Sequence, residues 1–131
     1  LEKAMKKKVY MLLIALIVAG LFFNTSCKRK NRFDIRGTWV FDITVLGETF
    51  TENYTFVGDR QAGDVLWEGD TFGTYSVIDD FVSFTLEYYD IDDDYVVEVY
   101  KGYFDSRDYM SGDVTITIEN YPTVMGDWVA Y

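Results

Sequence analysis

Phe81-Val82-Ser83-Phe84-Thr85-Leu86-Glu87-Tyr88-Tyr89 follows the acidic pair Asp79-Asp80 and runs into a second acidic stretch at Asp90. Val82, Phe84, Leu86 and Tyr88 alternate with Ser83, Thr85 and Glu87, a period of two that an extended strand resolves into one apolar and one polar face. A helix would scatter the same residues around its circumference. The segment therefore predicts a strand half-buried against a core.

The same period recurs on both sides. Upstream, Trp39, Phe41, Ile43 and Val45 alternate with Thr38, Val40, Asp42 and Thr44, and Phe50 to Val57 places Phe50, Tyr54 and Phe56 opposite Thr51, Asn53 and Thr55. Val65 to Glu68 is a short third strand and Phe72 to Val77 a fourth, with Gly69-Asp70 between them. Downstream of the quoted segment come Tyr95 to Phe104, then Met110 to Ile118, then Gly126 to Tyr131, with Pro122 in the last loop, where its missing donor costs nothing. Short strands linked by Gly- and Asp-rich turns predict antiparallel neighbours in chain order. The predicted fold is all-β: a small eight-stranded up-and-down antiparallel barrel, with a β-sandwich as the alternative. The outward set, including Asp42, Thr44, Ser83, Thr85, Glu87, Asp113, Thr115 and Thr117, is too polar to face lipid, so the barrel is expected to lie in water.

The barrel region is anionic. Of the 12 Lys and Arg residues only Arg36, Arg60, Lys101 and Arg107 lie beyond residue 32, while the chain carries 22 Asp and Glu residues. Such a surface repels a phosphate backbone, so no nucleic-acid partner is expected. The chain has no His, and Cys27 is its only Cys. Imidazole bases, Ser-His-Asp triads and the usual zinc sites cannot be built from one such chain, nor can an internal disulfide.

The amino-terminal part is different in kind. Met5-Lys6-Lys7-Lys8 reads as an initiator with a basic region, which makes Leu1 to Ala4 upstream translated sequence, and the uncharged run VYMLLIALIVAGLFF from Val9 to Phe23 follows directly. That pattern predicts a helical secretory signal. A helix over the run would reach about 22 Å, short of the ~30 Å hydrocarbon core. The run ends Asn24-Thr25-Ser26-Cys27, which resembles a lipobox, with Asn24 where Leu is usual. The resemblance implies cleavage before Cys27, lipidation of Cys27 and a membrane tether. Lys28 lacks the acidic character that keeps many Gram-negative lipoproteins in the inner membrane, so the resemblance implies the outer membrane, with the periplasmic face preferred. The expected organisation is residues 1–26 upstream sequence and signal, 27–35 lipidated Cys and basic tether, and 36–131 the barrel.

Gly37-Thr38-Trp39 resembles the opening of the lipocalin and wider calycin group, and Gly126-Asp127-Trp128 is similar to the closing strand of small lipocalin-like bacterial lipoproteins. This resemblance implies that Trp39 and Trp128 plug the barrel, with a basic side chain over the first Trp. No Arg follows Arg107, which leaves Arg36 or Lys101 for that role. Gly-Thr-Trp also resembles the opening of avidin-type barrels, but the polar set that would hold biotin has no counterpart by position.

Candidate chemistry is sparse. Tyr75, Tyr88, Tyr100, Tyr103 and Trp67 could line a pocket for a flat or apolar ligand, their polar tips fixing its orientation. Asp90 to Asp94 has carboxylates suited to Ca²⁺, but Tyr95 stands where an EF-hand loop needs Gly and Lys101 where it needs Glu. No metal or cofactor is expected, and no pair of carboxylates is singled out for catalysis. The expectation is a non-enzymatic tethered lipocalin-like protein binding a small apolar or amphipathic molecule. The alternative is a filled barrel acting as an interaction or inhibitor module for an envelope protein.

Overall fold

A computed structural model describes residues 33–131. The signal segment, Cys27 and most of the tether lie outside the described residues. Eight strands follow one another: β1 (Gly37–Val45), β2 (Glu48–Gly58), β3 (Ala62–Trp67), β4 (Asp70–Ile78), β5 (Phe81–Tyr89), β6 (Tyr95–Ser106), β7 (Tyr109–Ile118) and β8 (Val124–Ala130). Each pairs antiparallel with its neighbour in sequence, and β8 returns to β1, with Phe41 opposite Ala130 and Val45 opposite Gly126. The sheet is a closed up-and-down barrel, not a sandwich. Closure removes the unpaired edges that two separate sheets would expose.

The faces follow the alternation. Trp39, Phe41 and Ile43 on β1, Tyr54 and Phe56 on β2, and Val82, Phe84 and Leu86 on β5 are all buried, while their sequence neighbours are more exposed. Glu87 departs from its expected place in solvent: it lies on the outer face but is buried there, with the Tyr95 hydroxyl hydrogen-bonded to its carboxylate.

Two local devices bend the wall. On β4 the register shifts between Val65 and Leu66 of its partner, which inserts Phe72 as an extra residue beside Gly73. A Cβ on Gly73 would lie 1.7 Å from the Thr85 carbonyl oxygen, so this position accepts only glycine. On β6 and β7, Gly102 faces Gly112, and a Cβ on Gly102 would fall 2.7 Å from Trp128 Cζ2. The glycine pair makes the floor on which the indole rests.

The core has a sealed end. The chain enters there, with Phe33 stacked on Phe104 at 4.8 Å, Ile35 fully buried, and Trp39 edge-on to Phe104 at 5.9 Å. Trp39 Nε1 donates to the Ile35 carbonyl at 2.7 Å, which ties the entering segment across the barrel bottom. Above it lies a block of Phe41, Phe56, Phe84, Tyr100 and Trp128, in which Phe84 stacks on Tyr100 at 4.4 Å.

Candidate functional site

At the opposite end, reached by the β1–β2, β3–β4, β5–β6 and β7–β8 turns, the inward-facing residues change character. Those near the sealed end are buried, whereas Glu52, Trp67, Phe72, Tyr88 and Ile116 are half-buried. Solvent therefore reaches these side chains at this end. Glu98 lies one inward position above Tyr100 on β6 and is only 6% exposed.

These side chains form a connected polar lining on an aromatic wall. The Tyr100 hydroxyl donates to Glu98 Oε1 at 2.7 Å, and the Tyr54 and Tyr100 hydroxyls are 3.3 Å apart. The Tyr88 hydroxyl also hydrogen-bonds the Glu98 carboxylate. Across the seam, Trp67 Nε1 donates to Glu52 Oε2 at 2.8 Å. Phe72 stands edge-on between Trp67 and Tyr88, with ring centroids at 5.5 and 6.1 Å.

Burial drives the electrostatics. It raises the Glu98 carboxyl above the usual carboxylate range against the two tyrosine hydrogen bonds, and the nearby Glu52 charge pushes the same way. Burial, followed by the negative charge of Glu98, lifts the Tyr54, Tyr88 and Tyr100 phenols far above their ordinary range. No Lys or Arg belongs to this lining, so it offers acceptors and aromatic faces.

The wall is lowest at one place. β2 pairs with β3 only from Thr55–Leu66 to Gly58–Gly63, and β4 pairs with β5 only up to Gly73–Leu86. The tip of the β3–β4 hairpin, from Trp67 to Phe72, thus has no ladder to β2 or β5. It is held to those strands by side chains, Trp67 on Glu52 and Phe72 on Tyr88.

Of the residues singled out from sequence, Trp67, Tyr88 and Tyr100 come together here. Tyr75 faces inward near the sealed end, its hydroxyl donating to the Asp59 carbonyl. Tyr103 points outward from β6, 53% exposed and edge-on to Phe81. Trp39 lies at the sealed end and Trp128 in the middle block, its Nε1 donating to the Asp113 carbonyl at 2.9 Å. Arg36 is on the surface with its guanidinium on Asp34 at 2.8 Å, and the ring that covers Trp39 is Phe104. Sequence reasoning passed over Glu52, Tyr54, Phe72 and Glu98. Parity would have found Glu98, since 96, 98, 100, 102 and 104 share one face. The Phe72 bulge left no comparable signal.

In the acidic β5–β6 turn, Asp90 Oδ1 accepts from the backbone NH groups of Asp92 and Asp94 at 2.9 and 3.0 Å. The turn is thereby closed on itself. Among the described residues no cluster of side chains is arranged to hold a metal ion.

Fold and lining together define a small closed β-barrel with a buried end and a half-buried one. Three solved structures share that fold at low sequence identity. The chain is similar to EF1p2_mFAP2b bound to DFHBI, with a TM-score of 0.59 and 14% identity over 73% of this chain and 91% of the other. It is similar to the redesigned beta barrel b11L5F_LGL, with a TM-score of 0.56 and 16% identity over 74% and 90%. A redesigned beta barrel, mFAP1, bound to DFHBI, matches with a TM-score of 0.56 and 17% identity over 74% and 94%. No protein-family model and no curated protein sequence matches the chain.

Proposed function

We propose that this chain is a membrane-tethered, lipocalin-like lipoprotein that binds a small apolar or amphipathic molecule inside the mouth of its barrel and catalyses no reaction. The observation that carries the reading is the contrast between the two ends. One is packed with buried side chains, and the other presents the half-buried rings of Trp67, Phe72 and Tyr88, with Trp67 bonded to Glu52 and Tyr88 to Glu98. Apolar walls with a few placed polar groups are the usual make-up of a small-molecule site. That two barrels of this fold were solved with DFHBI bound adds support.

The tether follows from the sequence before the described residues. Lipidation at Cys27 would place the anchor six residues ahead of Phe33. At a maximum of about 3.6 Å per residue, that keeps the sealed end within ~22 Å of the acyl chain. Phe33 and Ile35 pack under that end, and on this reading a Cys27 anchor in the cell envelope would leave the mouth facing away from the membrane.

Titration with the neutral fluorophore N-phenyl-1-naphthylamine tests the binding reading. Saturable enhancement with one site is expected, weakened by about tenfold or more in Tyr88→Ala, which removes a ring from the lining. Absence of saturable binding to the folded protein would contradict it. Cys27→Ser should abolish incorporation of labelled palmitate and release the protein from membranes.

The alternative, docking on an envelope protein, is favoured by one observation: Leu46, Ile91, Tyr121 and Met125 stand exposed on the turns and strand start around the mouth. Capture of a partner that survives Tyr88→Ala but fails in Leu46→Asp or Ile91→Asp would favour it.

A further inference from the structure

The charge inside the barrel is of one sign. Glu98 and Glu52 both belong to the mouth lining, close enough that Glu52 acts on Glu98. The four basic residues of the described chain are all elsewhere. Arg36 and Arg60 gather on Asp34 at the sealed end, at 2.8 and 3.5 Å. Arg107 is in the β6–β7 turn at that same end, and Lys101 is exposed on the outer face of β6, opposite in parity to Glu98 and Tyr100.

This arrangement discriminates among amphipathic molecules. A ligand carboxylate entering the lining would meet two carboxyl groups and no cation, in a setting where like charges are poorly screened. A protonated amine would meet the reverse. Glu98 could accept a charge-assisted hydrogen bond from it, and the faces of Trp67, Phe72 and Tyr88 attract a cation through their quadrupoles. The tyrosine hydroxyls already donate to Glu98, so the carboxyl is held in place before a ligand arrives.

From this we infer that the mouth site selects organic cations, an apolar or aromatic body carrying a protonated amine, with Glu98 as the counter-charge and Glu52 as a second acceptor at the seam. Fatty acids and other apolar anions are the excluded class. The inference rests on the proposed binding role of the same site.

The test uses three probes of similar shape, tryptamine, indole and indole-3-propionate, titrated into residues 33–131 by calorimetry at about 0.15 M salt, where the acidic surface is screened beyond ~8 Å. Tryptamine should bind about tenfold or more tighter than indole-3-propionate, as one charged hydrogen bond implies, with indole between them. In Glu98→Gln, which keeps the acceptor for Tyr100, the ratio of tryptamine to indole-3-propionate affinity should fall by about tenfold. If indole-3-propionate binds as tightly as tryptamine in the unaltered protein, the cation inference fails while the binding role stands. An unchanged ratio in Glu98→Gln overturns the assignment to Glu98. If none of the three binds, the binding role fails and the inference goes with it. Should Glu98→Gln not fold, the ordering in the unaltered protein decides.

Discussion

Glu98 concentrates the conflict between folding and use. Its carboxyl is buried and raised, so the folded state holds a proton there at pH values where the unfolded chain has lost it. The contribution of Glu98 to stability is therefore fully present below the unfolded value of 4.5 and is lost as pH rises through it toward the raised folded one. Glu98→Gln removes the ionisation and keeps the shape. The variant should melt a few degrees above the parent at pH 8, and about 1 kcal/mol would shift Tm by roughly 4–8 °C in a domain of this size. The gap should close by pH 4, as thermal melts at the two pH values would show. A parent more stable than Glu98→Gln at pH 8 would mean that the carboxylate is stabilised in the fold, against the burial described above. At this scale the sequence was only partly legible. Alternation puts Tyr100 inward and Tyr103 outward, three residues apart on one strand, yet both are tyrosines and composition alone groups them. Tyr75 shows another limit: parity tells that a ring points inward, but not whether it lies near the sealed end or the mouth.

At the scale of elements, the hairpins differ in how well their turns suit the chain. Leu46 and Gly47 have φ of 52° and 80°, and Glu68 and Gly69 have 51° and 85°, which is the two-residue turn that matches strand twist. Leucine pays about 1–2 kcal/mol in that left-handed region, whereas Asn adopts it readily. Leu46 is 82% exposed, so its side chain contributes no core contact that would offset the strain. Leu46→Asn should therefore stabilise the barrel by about 1 kcal/mol in urea unfolding, without a change in m-value. The β3–β4 tip makes a second case. With no ladder to β2 or β5, the amides from Glu68 to Phe72 should exchange with solvent faster than those of Val82 to Leu86, which are paired on both sides. Equal protection of the two segments in hydrogen exchange would show that the tip is fixed. The strands around this tip were legible as strands, but the extra residue at Phe72 was not. It adjoins the close backbone approach at Gly73, a three-dimensional constraint with no periodic trace.

The whole molecule joins a rigid aromatic block to a polar mouth, and alkali separates the two. Burial raises Tyr75 to about 12 and lifts Tyr54, Tyr88 and Tyr100 beyond it, from an unfolded value of 10.0. The folded barrel therefore keeps these protons longer than the unfolded chain does, and stability must fall as pH rises above about 10. Absorbance of tyrosinate at these sites should appear only together with loss of the near-ultraviolet circular dichroism of the core. The order of the strands was readable from alternation and short links because both are local. Closure into a barrel, with a sandwich as the alternative, was expected from the removal of exposed edges and not from any local pattern, because β1 meets β8 some eighty residues away.

The central claim is that the mouth interior, and not the outer wall, is where a small molecule binds. It is tested most directly by intermolecular nuclear Overhauser effects between N-phenyl-1-naphthylamine and the isotopically labelled domain of residues 33–131. The account predicts contacts to the Trp67, Phe72 and Tyr88 rings and the Ile116 methyls, and none to Tyr103. Contacts confined to Tyr103, Leu46 or other outward side chains would contradict it.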